Sequence, residues 1–513
     1  MGGGAVALQY HRDTSFGPQR WPRPGVPEFV PMDPRNQPRP FKRYPQARLH
    51  DLPEFLPPRG APATDALSGG VSLTEPELDI EMLARLLYFS AGVTRFAGPP
   101  EQPTWFRAAP SAGNLHPLEV YVVAGAMPGL DPGLYHFAPD VFGLEELARG
   151  ECRPALADAA AAPQVEVSPF ALVLTGIPWR TAWKYGERGL RHVYWDAGAV
   201  LANLLAVAEG YGIPARVLLG FVDTVLSQQL GIDGVEEFPV AVVTVGTPRD
   251  VLTPVECQSA GLAPTPLSPM PINFPLIVQA QQAGNLANAY EVATWREAER
   301  PGLPTAADVV EPPSGSRPEP IEAVILRRGS TRRMRHGVVP TELLTWGMAV
   351  ATRHVPADAI AAGTSLLAHE LAVHCVRGLA PGLYHWVNGV PAPYRSGSED
   401  VVRQLSQRMC LDQELAADSA YTDFACADLD LVVGGYGDRG YRVAQFEAGV
   451  AAERLQLAAF ALDHGGTGLT FSDEEVSAVF GTKAACMLAV AIGVPAYRAL
   501  PGGPPRRPTQ LAG

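Results

Sequence analysis

The chain repeats itself once. Gly133-Leu-Tyr-His-Phe137 returns as Gly382-Leu-Tyr-His-Trp386, and Gly186-Glu-Arg-Gly-Leu-Arg191 returns as Gly437-Asp-Arg-Gly-Tyr-Arg442. Asp196-Ala-Gly198 matches Glu447-Ala-Gly449, and the β-rich run Val240–Gly246 matches Met487–Gly493. The offsets are 249, 251, 251 and 247, and the order is collinear. Solenoid repeats have periods of about 20–50 residues. A period near 250 therefore means two domains of one fold.

Each copy reads as mixed α and β. In the first, Thr74-Glu-Pro-Glu77 has the form of a capping box ahead of the stripe Leu78, Met82, Leu83, Leu86 and Leu87. Val120–Ala124, Ala171–Thr175 and Val240–Val245 are short β-branched runs bounded by turns, so strands. Trp195–Glu209, Ala/Leu-rich and stopped by Gly210 and Gly212, predicts a buried helix. The second copy repeats it over Phe446–Asp463, with Ser472 capping a short helix after it. The boundaries predicted are a wrapping segment over 1–70, a first domain over 71–247, a Pro-rich linker over 248–320 and a second domain with a C-terminal tail over 321–513. The linker is expected to dock one helix, Leu276–Trp295.

Composition excludes several classes. A chain with 47% hydrophobic and 18% charged residues is not disordered throughout. A net charge of −13 argues against broad nucleic-acid or anionic-membrane binding while leaving room for one local anion pocket. No run approaches the ~18 apolar residues of a membrane span, and Met1–Tyr10 does not read as a signal peptide, so a cytoplasmic protein is expected. The six cysteines show neither zinc-ligand spacing nor a disulfide framework. They predict free thiols.

Arg107-Ala-Ala-Pro-Ser-Ala-Gly-Asn-Leu-His-Pro117 suits a tight turn whose backbone N–H groups can meet the polar edge of a flat heterocycle, or an ordinary turn before a strand. Arg327-Arg-Gly-Ser-Thr-Arg-Arg333 stands out in an acidic chain and suits a phosphate, or a solvated basic stretch. Gly435-Tyr-Gly-Asp-Arg-Gly440, placed after an expected strand Leu429–Val433, fits a dinucleotide fingerprint. That reading fails because the first copy has Lys184 in place of the first glycine and no acid-tipped strand follows. Lys184 and Tyr185 sit beside the same loop as a candidate base and its neighbour, against the plainer reading of a surface Lys with a packed Tyr. His116, His136 and His385 read as structural.

Taken together these motifs resemble the tandem nitroreductase-like family of SagB-type azoline dehydrogenases. The likeness extends to Tyr10-His-Arg-Asp-Thr14 and Gln37-Pro-Arg-Pro-Phe-Lys-Arg-Tyr44, which are typical of that family's leader. It implies an α+β fold of two tandem nitroreductase-like domains forming an intrachain pseudo-dimer. It also implies FMN held at their interface by Pro110, Ser111 and Asn114 of one copy and Arg328, Ser330 and Arg332 of the other. Arg498 is implied at the phosphate, with Arg506 nearby, and Leu219 and Gly220 at the ring. The Pro-Ser turn survives only in the first copy and the Arg element only in the second, so one composite site per chain is expected.

Lys184-Tyr185 matches the family's Lys-Tyr pair, whereas the second copy has Gly435-Tyr436. The implied reaction removes a proton from the α carbon of a thiazoline or oxazoline and passes hydride from the β carbon to the flavin, giving an azole. O₂ then reoxidises the flavin. The implied substrate is a ribosomally made peptide first cyclised by a partner cyclodehydratase. Two other readings stand beside it: an NAD(P)H-dependent nitro or quinone flavin reductase, and a flavin-binding scaffold subunit of a peptide-modifying complex.

Overall fold

The computed structural model of the chain describes residues 3–17, 32–99, 103–249, 256–298, 300 and 302–511. Part of the wrapping segment, residues 18–31, lies outside them. Two antiparallel sheets share one topology. In the first copy the order is Arg48–Asp51, Gly143–Arg149, Gly133–Ala138, Leu118–Ala124, Phe170–Gly176, Phe238–Val245 and Ala215–Leu218. In the second it is Met334–Arg335, Ala485–Pro495, Tyr421–Ala427, Ala368–Val373, Gly382–Val387 and Val390–Ser396, with Gly465–Leu469 also on Ala485–Pro495. The matched Gly-Leu-Tyr-His segments hold the same place in both sheets, next to the strand that follows the turn.

Two long helices, Gly189–Gly210 and Arg439–Ala461, form the centre of the molecule and are buried almost all round. They cross where the repeat places Gly198 and Gly449. A Cβ on Gly198 would lie 2.3 Å from the Phe446 carbonyl oxygen, and one on Gly449 2.2 Å from that of Trp195. The absence of side chains there lets the two backbones touch and marks the pseudo-two-fold axis.

The Gly-x-Arg-Gly-x-Arg frame has a reciprocal purpose. Arg188 and Arg191 of the first copy reach Asp473 of the second at 3.0 and 2.7 Å. Arg439 and Arg442 of the second reach Asp223 of the first at 2.7 and 3.2 Å. All six side chains are buried, so the pairs contribute mainly register and specificity of docking, since desolvation offsets much of the attraction. The N-terminal helix Ala5–Asp13 clips both frames together. The Tyr10 hydroxyl donates to the Glu187 carbonyl at 2.6 Å, and the Ala7 N–H donates to Asp438 at 2.7 Å. From the other end, Thr509–Gln510 pairs in parallel with Val93–Ala97 of the first copy.

Several local expectations are corrected. Leu429–Tyr436 is a helix, because Asp428 caps it by accepting the Leu431 N–H; the strand here is Tyr421–Ala427. The helix after Thr74 begins at Ile80, and Asp79 is its N-cap. The expected linker helix is two, Pro275–Ala283 and Ala289–Glu297, interrupted at Gly284 and restarted by the Asn288 cap. Cys152 and Cys257 form a disulfide. Their separation of 105 residues hides the pairing, but Gln258–Ser259 runs alongside Arg149 and Ala148 and so brings the two cysteines together. Cys375, Cys410, Cys426 and Cys486 are free. Among the described residues no helix is long and apolar enough to cross a membrane.

Candidate active site

The turn between Thr104–Arg107 and Leu118–Ala124 is held from below. Gly113, Asn114 and His116 take positive φ values of 63°, 59° and 45°. The Ser111 hydroxyl accepts the His116 N–H at 2.8 Å, and Asn114 donates to the Trp105 carbonyl at 2.8 Å while its own oxygen faces the His116 ring at 2.9 Å. Asp196, buried on the first central helix, accepts the Ala112 N–H at 3.1 Å and bonds Ser111. Burial pushes its carboxyl up to about 7, against the pull of those two bonds. Pro110 and Ser111 are partly exposed at the start of the turn.

Lys184 and Tyr185 end the helix Pro178–Tyr185, which Gly186 stops at φ 54°. Both lean on Gly113. A Cβ there would fall 2.8 Å from the Tyr185 hydroxyl and 3.3 Å from Lys184 Nζ. Lys184 Nζ sits 5.3 Å from the Tyr185 ring, which stacks on His192 at 4.0 Å and 20°. Burial holds the Tyr185 phenol up at about 12, with Asp196 adding to the effect, and burial with Arg188 pulls His192 down to about 3. His192 is therefore a neutral ring at working pH.

The Arg element meets this turn from the second copy. The helix Ile321–Arg327 ends at Arg328, which is buried, donates to the Ala108 carbonyl at 2.7 Å and pairs with Glu453 at 3.1 Å. Thr331 bonds the Gly466 carbonyl at 3.0 Å, which turns the chain back toward solvent at Arg332. Ser330 is half-buried, and the Arg332 N–H donates to the Tyr497 hydroxyl at 3.1 Å. Arg332 lies near enough to Tyr185 to act on its hydroxyl. Arg498 is exposed between Tyr497 and Ala499, the latter 4.0 Å from where a Gly329 Cβ would be. Among the described residues neither Arg332 nor Arg498 pairs with a carboxylate, whereas Arg506 is spent on Asp51 and Glu54. The structure thus sets Lys184 and Tyr185 on the Pro110–Asn114 turn, Arg328 of the other copy on Ala108 beside it and Arg332 near Tyr185, while Ser330 lies two residues after Arg328 and Arg498 stands exposed beside Ala499.

Leu219 and Gly220 belong to a different place, the position related to this one by the pseudo-two-fold. Their N–H groups donate to Asp358 at 2.7 and 3.2 Å, and Arg296 ties Asp358 to the Gly220 carbonyl at 2.6 and 2.8 Å. The Trp295 ring lies 3.1 Å from a Gly220 Cβ. Its Nε1–H donates to the Tyr436 carbonyl at 2.9 Å, and the Arg300 guanidinium sits 3.8 Å from the Tyr436 ring. Gly69 ends the helix Ala63–Ser68 as Arg328 ends Ile321–Arg327. A Cβ on Gly69 would fall 1.2 Å from Arg353 Nη1. The turn is shortened as well. Glu447 accepts the Leu366 N–H at 2.8 Å as Asp196 accepts that of Ala112, but the strand resumes at Ala368. Trp295, Arg296 and Arg353 thus take up space at this second position, beside a cavity of about 440 Å³ lined among others by Trp295, Tyr436 and Arg439.

Sequence reasoning missed Asp196 as the support of the turn, His192 under Tyr185, and the linker residues at the second position. Asp196 was signalled by its match with Glu447; the other residues carry no pattern.

Residues 73–247 match the nitroreductase family. The chain is 29% identical over 170 residues to a nitroreductase-like protein of Methanocaldococcus jannaschii, covering 33% of this chain and 81% of that one. It is 25% identical over 193 residues to the microcin B17-processing protein McbC of Escherichia coli, covering 36% and 69%. A solved nitroreductase-like structure from Anabaena variabilis superposes with a TM-score of 0.72 at 24% identity, covering 96% of this chain and 99% of that one, which shows the same fold along the whole length.

Proposed function

From a chain whose residues 73–247 belong to the nitroreductase family, we propose an FMN-dependent oxidoreductase that oxidises azoline rings to azoles in a ribosomally made, modified peptide. The observation that carries this reading is the placement of Lys184 and Tyr185 against Gly113, facing the Arg element of the other copy. The likeness to a protein named for processing microcin B17 supports a peptide substrate and, with it, a cyclodehydratase partner.

The residues fit the cofactor. Arg332 and Arg498, unpaired among the described residues, and Ser330 suit a phosphate in a chain of net charge −13. Pro110–Asn114 presents a left-handed turn to a ring edge. Arg328 anchors the junction through Ala108. By strand register, the residues matching Leu219 and Gly220 on this side are Thr470 and Phe471. When bound, FMN would supply the two-electron acceptor for the hydride leaving the β carbon, with O₂ as the terminal oxidant. Lys184 Nζ is the group placed to take the α proton. Tyr185 orients Nζ and the ring, clamped between Gly113 and His192.

The test is Lys184→Ala, read as loss of two daltons per ring on a cyclised peptide. Loss of a general base should cost about 10²- to 10⁴-fold in rate with FMN still bound. Normal oxidation by the flavin-loaded variant would overturn the base assignment. Turnover of a nitro compound at the expense of NAD(P)H, without peptide oxidation, would favour the reductase reading.

A further inference from the structure

Beneath the turn lies a cavity of about 10 Å³, lined among others by Arg107, Pro110, His116 and Asp196. Two buried polar atoms of its lining residues, Asp196 Oδ2 and Arg107 Nε, have no hydrogen-bond partner among the described residues. The rest of each group is engaged. Asp196 Oδ1 takes the Ala112 N–H, with Ser111 beside the carboxyl. Arg107 donates to the Pro40 and Leu118 carbonyls at 2.8 and 3.4 Å. A polar space of this size suits one water, and an unpartnered acceptor and an unpartnered donor on residues that line it suit a water that receives one bond and gives another.

We propose that Asp196 is a positioning residue for the cofactor turn, fixed by one ordered water that bridges Oδ2 to Arg107 Nε. Asp196 does not touch the cofactor. It sets where the Ser111–Ala112 backbone stands, and Arg107, itself anchored on Pro40 and Leu118, sets where Asp196 stands. The second copy supplies the comparison. Glu447 holds Ser365 and Leu366 in the same way, yet no loop follows them, so the same clamp there carries fold alone.

This inference rests on the flavin reading for its effect on cofactor binding, but not for the water. The experiment pairs Asp196→Asn with Glu447→Gln in the full chain. Asp196→Asn should weaken FMN binding about 5- to 30-fold, the effect of one or two lost interactions, and shift the visible band of the bound flavin. Glu447→Gln should leave both unchanged. A crystal structure of the parent chain should show one water within hydrogen-bonding distance of both Asp196 Oδ2 and Arg107 Nε. Equal FMN affinity and an unshifted band in Asp196→Asn, or a dry cavity, would overturn the proposal. A parent chain that binds no FMN but holds the water would instead sink the flavin reading and leave the water standing.

Discussion

Replacing Gly113 by Ala isolates the contact on which the functional reading turns. Gly113 sits at φ +63°, and an added Cβ would stand 2.8 Å from the Tyr185 hydroxyl and 3.3 Å from Lys184 Nζ and Cδ. Two effects follow. A non-glycine residue in the left-handed region costs about 1–2 kcal/mol. Separately, the Tyr185 hydroxyl has to give way by roughly 0.5 Å or more to reach ordinary contact, carrying the paired Lys with it. Misplacement of reacting groups by about 1 Å can cost about 10²-fold in rate.

Gly231 separates the two effects, because it has φ +68° and nothing within 4 Å of its would-be Cβ. Gly113→Ala and Gly231→Ala should therefore lose similar stability in thermal melts, while only Gly113→Ala loses turnover, by about 10- to 100-fold. FMN content is measured in each so that rates are compared per bound flavin. If Gly113→Ala turns over like Gly231→Ala, then Lys184 and Tyr185 do not depend on the turn, and the site described above is wrong.

Arg332→Ala should weaken FMN binding about 10- to 100-fold in a flavin titration with little change in melting temperature. Arg328→Ala should instead destabilise the chain by about 3–5 kcal/mol, because it leaves buried Glu453 without its cation. That loss is expected above pH 8: burial holds the Glu453 carboxyl up at about 8 even against the pull of Arg328, and higher without it, so at neutral pH the carboxyl is protonated and the loss is smaller. Cys257→Ser, which opens the link to Cys152, should lower stability by about 2–4 kcal/mol in denaturant melts. Trp295→Ala should lower stability by about 3–5 kcal/mol while the ratio of FMN to protein stays at one; a ratio near two would refute the single site.

The repeat made the architecture readable, because matched residues mark places where two copies of one fold face the same constraint. Gly198 and Gly449 recur because two helices touch there, and the Arg frames recur because each copy inserts two guanidiniums into the other. The turn and the Arg element were legible as local patterns of unusual composition. Other features rest on contacts that carry no local signature. Leu429–Val433 reads as a strand from its β-branched residues, and only the Asp428 cap shows it to be a helix. Cys152 and Cys257 meet because a two-residue strand from the linker reaches the edge of the first sheet. Leu219 and Gly220 follow the strand Ala215–Leu218, and their backbone meets Asp358, Arg296 and Trp295 at the second position and not the turn.

The difference between the two positions follows from joining the two copies in one chain. Two identical protomers present the same patch twice, so every element of one interfacial site appears in the other. A fused chain is released from that requirement. Here the first copy keeps the turn and the Lys-Tyr pair and the second keeps the Arg element, and Arg328 and Arg332 of the second reach Ala108 and the neighbourhood of Tyr185 in the first. The related position loses each part, and it would leave apolar and polar surface unsatisfied if nothing replaced the ligand. The linker and the second copy together supply side chains there. Trp295 fills the space beside Gly220, Arg296 and Asp358 satisfy the free backbone groups of Leu219 and Gly220, and Arg300 covers Tyr436. The linker's two helices, expected from sequence as one helix that docks, thus supply part of what stands at the second position of a molecule with two-fold architecture.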